Sequence, residues 1–463
     1  MKRTIIYTLF LLSFVCQQAN ATHIVQNQYD SSLNQSEHMS WWTHDRFGLF
    51  IHWGLYAMPA RHEWVKSREK MSDEHYNRYK NLFNPDLYNP EEWAYMAKAA
   101  GVKYMVFTTK HHDGFCLWDS PSTTYDVASS SNTTDIVAEV SKACRKYGLQ
   151  FAVYYSLWDR KEPSFHDKDK TKYIDFMCSQ LTELLTNYGE VCELWLDGGW
   201  ARSVKDWDLP RVYKLVKELQ PYCAVGVNHT IETKPGSRKN VLPDSMTIDN
   251  CYTFHYFPSD FRLWDPKIAH QNDAKQYLHN GQSYYLPFEH TVCLSKAWNW
   301  FQKRELLPVR DLDELEELFY WCTSNGNTLV INIPPDESGR IREYEANAAI
   351  ELGKRLGLKK GKPLPKNGTC ISMNQVAEAT SVSGDDPHYA AIDGGMQTRW
   401  AAAVNDTLST LTVTLDKTKS FNKITIFEYC DSHSGNDGFS NYRKNRIQGY
   451  QIEIIQKGKW IPI

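Results

Sequence analysis

The sequence predicts an α/β protein, a (β/α)8-type barrel followed by a smaller all-β sandwich. Three observations carry this. Short apolar runs recur between residues 47 and 335, and amphipathic helical patterns separate several of them. Nearly every run ends in polar, ring-bearing residues. Beyond residue 356 the helical period stops, and short alternating segments with turn clusters take over.

The elements follow in chain order. Residues 1–21 form a signal peptide. Met1-Lys2-Arg3 is its positive start, IIYTLFLLSFV its apolar run and Ala19-Asn20-Ala21 a small-x-small cleavage site. The run is about half the length of a spanning helix. Val15 is too bulky for the position before a lipidated Cys16. Export to the periplasm or the exterior is expected, and no later stretch is apolar enough to span a membrane. Of the 11 Cys, all but Cys16 remain in the mature chain, in a compartment that permits disulfides. None forms a CxxC pair, and Cys192, Cys251 and Cys322 sit inside apolar runs as small core residues.

The barrel is expected over residues 22–356. Its candidate strands are FGLFIHWG (47–54), KYMVFTTKHHDG (103–114), QFAVYYS (150–156), ELWLDGG (193–199), CAVGVNH (223–229), SMTIDN (245–250), LPFEHTV (286–292) and NTLVINIPP (327–335). EEWAYMAKAAG starts a helix after Asn-Pro and can stop at Gly101. TDIVAEVSKACRKYG has Thr134 as its cap and Gly148 as its stop. YIDFMCSQLTELLTNYG and LDELEELFYWCTSNG follow the same plan. The stretch 230–285 reads as an elaborated loop region. The linker, 357–369, contains GLKKGKPLPKNG. The remaining residues, 370–463, contain TLTVTLD, KITIFEY and GYQIEII and form the expected sandwich.

A net charge of −3 with no basic block excludes nucleic acid as a natural partner. The 16 Trp and 27 Tyr suit rings stacked on sugars, or simply a large core. The strand ends offer His52, His111-His112-Asp113, Tyr154-Tyr155-Ser156, Asp197, Asn228-His229, Asp249-Asn250 and Glu289-His290. In barrels of this kind that end carries the chemistry. Trp195 and Asp197 share one parity on their strand, and Leu194 and Leu196 share the other. The Leu pair suits the helix layer, so Trp195 and Asp197 point inward. Asp197 is then a nucleophile for a glycosyl carbon, or a helix cap before Gly198-Gly199. Adjacent His111 and His112 chelate one metal poorly and suit sugar hydroxyls better. No metal or cofactor is expected. Glycoside hydrolysis needs a second carboxyl group. Glu63, Asp249, Asp265 and Glu289 are the candidates, whereas Asp119 starts a turn.

Read together, WWTHDRFGLFIHWGLYA, HEW, AGVKYMVFTTKHHDGFCLWDS, GLQFAVYYS and LWLDGGW resemble the α-L-fucosidases of glycoside hydrolase family 29 over about residues 41–355. The resemblance implies an irregular (β/α)8 barrel with a C-terminal β-sandwich. It implies release of terminal L-fucose from glycans with retention, through a glycosyl-enzyme intermediate. It makes Asp197 the nucleophile. His52, His111 and His112 hold fucose hydroxyls, Glu63 and Trp64 form a pair on the sugar, and Tyr154 and Trp195 line the site. Trp298 matches a tryptophan near the fucose methyl. Where the family carries Asn-Asp-Arg, this chain has Asn228-His229-Thr230. The acid/base is preferred at Glu289, with Asp265 in SDFRLWDP as the alternative. AAIDGGMQTRWAA and GYQIEII resemble a discoidin-like (factor type C) sandwich, here shortened. Two other readings keep part of this frame: a glycosidase of altered sugar specificity, and a catalytically weak carbohydrate-binding barrel.

Overall fold

The computed structural model describes residues 39–232, 253–263, 276–279, 282–296, 300–301, 307–324, 326–358, 371–372, 375–384, 386–392, 399–421, 424, 426, 449–456 and 458–463. The signal-peptide expectation lies outside them. Eight parallel strands close into a barrel: β1 (Phe47–Ile51), β2 (Tyr104–Lys110), β3 (Gln150–Ser156), β4 (Glu193–Asp197), β5 (Ala224–Asn228), β6 (Phe261–Leu263), β7 (Phe288–Cys293) and β8 (Thr328–Asn332). Each pairs with its sequence neighbour, and β8 pairs back onto β1.

Seven of these strands fall on the predicted runs. The sixth does not. SMTIDN lies outside the described residues, and the barrel closes without it through the three residues of β6. Three residues carry too little alternation to be recognised, and Arg262 at their centre disguises them further. Its guanidinium is buried, with Nε donating to Leu286 O at 2.9 Å and the cation over the Phe288 ring. Between β5 and β7 the region expected as loop also holds a separate four-stranded sheet, of Ile231–Glu232, Thr253–Phe254, Gln276–His279 and Gln282–Tyr285.

The helices are α1 (Ser40–Asp45), α2 (Val65–Arg68), α3 (Asp73–Leu82), α4 (Pro90–Ala99), α5 (Ile136–Tyr147), α6 (Thr171–Asn187), α7 (Leu209–Leu219), α8 (Leu312–Ser324) and α9 (Glu343–Arg355). Asn89 caps α4, its Oδ1 accepting from the amides of Glu91 and Glu92, and Pro90 supplies the first helical position. The cap of α5 is Asp135 and not Thr134: its carboxylate accepts from Ala138 N at 2.8 Å, the stronger acceptor taking the place. Gly148 stops that helix at φ +65°, as expected. Among the described residues no helix is long and apolar enough to cross a membrane.

Two apolar clusters follow from strand parity. Leu49, Ile51, Met105, Phe107, Val153, Leu194, Leu196, Val225 and Val227 face the helix layer. Phe50, Val106, Ala152, Tyr154, Trp195, Leu263 and Val330 fill the barrel interior. Trp42 of α1 joins them and closes the end where the strands begin. The parity reading of Leu194, Leu196, Trp195, Ala152 and Tyr154 therefore holds. The described cysteines of the barrel, among them Cys192 and Cys322, are buried free thiols; Cys251 lies outside the described residues. Beyond the barrel the chain forms two antiparallel pairs, Val376–Ala379 with Leu411–Thr414 and Glu453–Gln456 with Lys459–Pro462.

Candidate active site

A cavity of about 260 Å³ opens where the strands end. Its walls include Phe50, His52, Glu63, Trp64, His111, His112, Tyr154, Trp195 and Asp197. The structure thus brings together most of the predicted site from four strands and a loop. Trp298 and Asp265 lie outside the described residues.

Asp197 ends β4 beside Asn228, which ends β5, because Leu196 is in register with Val227. Tyr154 OH donates to Asp197 Oδ2 at 2.7 Å, and Asn228 Nδ2 donates to Oδ1 at 3.1 Å. Burial pushes the Asp197 carboxyl up, and these two bonds with the Gly198 amide pull it back. A side chain so held presents an oriented carboxylate to the cavity. The two glycines after it serve close packing. Gly198 sits at φ +77°, and a Cβ there would lie 2.8 Å from Trp158 Cβ; one on Gly199 would lie 2.7 Å from the Tyr256 ring.

His111 and His112 follow β2 in a turn rather than in the strand, so adjacent residues face one cavity. Their ring centroids are 4.2 Å apart. Asp113 builds the turn: it accepts from Tyr76 OH at 2.6 Å and from Phe115 N at 3.1 Å, and Gly114 takes φ +83°. Ser156 Oγ donates to Trp158 O at 2.6 Å, so its oxygen accepts from His112 Nδ1–H, also at 2.6 Å. The bare Nε2 of His112 then faces Asp197, 3.7 Å from Oδ2, as an acceptor for a hydroxyl. His52 pairs with Tyr56 OH through Nδ1 at 2.6 Å. Burial lowers His52 to about 3, and burial with neighbouring cations and imidazoles lowers His111 and His112 well below 6.5. All three are neutral hydrogen-bonding groups at physiological pH.

Glu289 stands apart, and the expectation that it faces Asp197 as the acid/base is corrected here. LPFEHTV was read as a strand ending near Glu289, but β7 begins there. The Glu289 carboxylate accepts from Tyr104 OH at 2.9 Å and from Trp195 Nε1 at 3.0 Å. Tyr104 and Glu193 open β2 and β4, so this layer sits at the opposite end of the barrel. Asp197 is four residues beyond Glu193, about 13 Å along an extended strand. Among the described residues the carboxylates lining the cavity are Asp197 and Glu63.

The family model for α-L-fucosidases matches residues 13–360. The chain belongs to the α-L-fucosidase family. It is 33% identical over 353 residues to a tissue α-L-fucosidase of Macaca fascicularis, covering 71% of this chain and 69% of that one. α-L-Fucosidase 1 of Arabidopsis thaliana is 26% identical over 90% of this chain and 76% of its own. Among solved structures, α-L-fucosidase isoenzyme 1 of Paenibacillus thiaminolyticus superposes with a TM-score of 0.54 at 30% identity, over 70% of this chain and 76% of that one. The protein is accordingly a glycoside hydrolase of the α-L-fucosidase class.

The fucosidase cavity also uses residues that sequence reasoning left without a role. Trp300 packs on Phe50 and His52, with centroids 5.4 and 5.3 Å away. It stands two positions beyond Trp298 in AWNW, and a Trp-x-Trp pair offers no means of choosing. Asn228 was visible as a polar strand end and as the first residue of Asn228-His229-Thr230, with no role assigned to it. His62, Arg68, Trp200 and His229 form a half-buried rim around the buried floor. His229 carries the one available signal, since it follows Asn228 at a strand end; it adopts φ +66° and lies against Trp200.

Proposed function

We propose that the enzyme is a retaining exo-α-L-fucosidase working by double displacement. The carrying observation is Asp197, an inward carboxylate oriented by Tyr154 and Asn228 on the floor of a cavity sized for one sugar ring. Asp197 attacks the anomeric carbon and the C–O bond to the aglycone breaks. The acid/base gives its proton to the leaving oxygen, and then takes one from the water that releases fucose. His52, His111, His112 and Glu63 hold ring hydroxyls. Phe50, Trp195 and Trp300 supply an apolar wall suited to the methyl of a deoxysugar. An enclosure of about 260 Å³, below the usual range for larger ligands, favours a terminal residue over an internal one.

For the acid/base we propose Asp265, with Glu63 as its competitor. Asp265 follows by two residues Leu263, which ends β6 in register with Asn228, the partner of Asp197. Glu63 has the merit of lining the cavity itself. Asp265→Asn and Glu63→Gln are compared on an activated aryl α-L-fucoside and on a fucosyl disaccharide. Loss of the disaccharide activity, with aryl turnover slowed only at release of the glycosyl-enzyme and recovered in azide, identifies the acid/base. Equal loss on both substrates marks a binding residue.

The function itself is tested with the chain from Thr22 onward, on aryl α-L-fucoside followed by NMR. Release of α-L-fucose by wild type and none by Asp197→Ala is expected. Release of β-L-fucose first rules out retention. Turnover of an aryl β-D-galactoside in preference would favour the altered-specificity reading. That reading rests on Thr230, which stands at the third position of Asn228-His229-Thr230 with its hydroxyl bound to Val227 O and the Leu263 amide. We propose export through the N-terminal signal peptide. We also propose that the tail from residue 370 is a discoidin-like sandwich. Its TRW motif supports this: Arg399 pairs with Asp386 at 3.0 Å, and Trp400 Nε1 donates to Ser381 O at 3.0 Å.

A further inference from the structure

We propose that Glu289 is a positioning residue, which fixes the Trp195 indole from beneath and through it the floor of the sugar site. The inference rests on the fucosidase reading of the cavity above it. Glu289 and Glu193 are both buried in the interior of the barrel, at 1% and 0% exposure. No cation is among the partners that the structure gives either carboxyl group. Like charges side by side in such a place cannot both ionise, so the pair retains a proton. The donors decide where it sits. Glu289 Oε1 accepts from Trp195 Nε1 at 3.0 Å and more weakly from Thr291 Oγ1 at 3.4 Å, while Oε2 accepts from Tyr104 OH at 2.9 Å. Glu193 accepts only the longer bond from Trp42 Nε1, at 3.3 Å. Glu289 is therefore the carboxylate and Glu193 the acid. Burial raises both groups, Glu289 to about 7; the neighbouring Glu289 raises Glu193 further, whereas the bonds from Tyr104, Trp195 and Glu193 draw Glu289 back down.

The surroundings are built around this contact. Gly48 faces the Tyr104 ring, and a Cβ in its place would lie 2.6 Å from that ring. A larger residue there would displace the phenol from Glu289. Trp195 stacks on Tyr154 with centroids 5.3 Å apart, and Tyr154 in turn holds Asp197. The chain of contact thus runs from Glu289 through Trp195 and Tyr154 to Asp197. Trp195 is also a wall of the cavity. An indole with its N–H bonded is held at one tilt; without the acceptor its buried N–H has no partner and the ring turns to find one.

The experiment uses purified enzyme with Glu289→Leu, Glu289→Gln and Tyr104→Phe, assayed on aryl α-L-fucoside. Gln keeps an acceptor for Trp195 and lies within about twofold of wild type in kcat and KM. Leu removes it and raises KM about tenfold, with kcat changed less than threefold. Tyr104→Phe removes one anchor and raises KM about threefold; it decides the matter if the Leu variant does not fold. Unchanged KM in Leu and Phe overturns the proposal. So does a Gln variant that loses the fucosyl disaccharide but keeps the aryl substrate, which would make Glu289 the acid. Should wild type release no fucose, the fucosidase reading fails separately. The same ratios are then read from the Kd for L-fucose.

Discussion

The phenol of Tyr154 donates to Asp197 Oδ2 at 2.7 Å, across two strands whose register places Ser156 against Asp197. The bond stabilises the carboxylate in its ionised form, opposing the burial that favours the neutral acid. Tyr154→Phe keeps the ring against Trp195 and removes only the donor. A hydrogen bond to a charged group contributes about 1.5–3 kcal/mol. The variant is expected to lose about 10- to 100-fold in kcat/KM on aryl α-L-fucoside. The acid limb of its pH–rate profile should move to higher pH. An unchanged limb would show that the phenol does not tune Asp197.

Lys110 tests how the loop bearing His111 and His112 is anchored. It is fully buried, and its ammonium bonds Asp159 Oδ2 and Tyr155 OH at 2.9 Å and Gln180 Oε1 at 3.1 Å. Lys110→Met leaves Asp159 buried without its cation, a loss of about 3–5 kcal/mol. Urea unfolding should show that drop in midpoint with little change in slope. Because the backbone turns directly from Lys110 into His111, KM on aryl fucoside should rise as well. Lys110→Met with Asp159→Asn should recover part of the stability, since the orphaned charge is gone.

How far the sequence reaches can be judged from particular residues. Strand parity placed Trp195 and Asp197 inward, because alternation on a five-residue strand leaves only two choices. It also placed Tyr154, through Ala152. The eighth-strand count was right, but the sixth strand was not located, since FRL is short and carries a buried arginine. Glu289 was misplaced for a different reason. Sequence shows which face a strand residue occupies but not where the strand begins, and a shift of a few residues moves a carboxylate from one end of the barrel to the other. Of the rim, His229 was legible as a polar strand end, whereas Trp200 and Arg68 were not legible at all. Which of those side chains turn into the cavity depends on loop backbone, such as the left-handed His229, that no periodicity encodes.

The neutral imidazole of His52 links acid stability to the site. Its proton affinity is lowered by burial from 6.5 to about 3. The unfolded chain takes up this proton below pH 6.5 while the folded one refuses it until about pH 3. The contribution of His52 is thus fully present above pH 6.5 and is lost as pH falls toward 3. At 1.36 kcal/mol per pH unit, roughly 3 kcal/mol goes between pH 6.5 and pH 4. His52→Gln cannot titrate, so the stability gap between wild type and variant should narrow by about that much over this interval. Unfolding free energies measured at pH 7 and pH 4 give the comparison. A gap independent of pH would mean that His52 titrates normally in the folded enzyme.

Trp300 and Trp298 give the last comparison. The indole of Trp300 is 7% exposed and packs against Phe50 and His52 on the cavity wall. An apolar wall there recognises a methyl group and is indifferent to a hydroxymethyl only at a cost of desolvation. Trp300→Ala should therefore raise KM for aryl α-L-fucoside about tenfold or more, in keeping with loss of about 1.5–3 kcal/mol of apolar burial. It should also narrow the preference for the fucoside over the β-D-galactoside, which carries the hydroxymethyl group. Trp298→Ala, made alongside, separates the residue that the resemblance implied from the one that lines the cavity. An effect on the fucoside-to-galactoside ratio from Trp298→Ala alone would transfer the role back to that residue. An effect from Trp300→Ala alone assigns the methyl wall to Trp300.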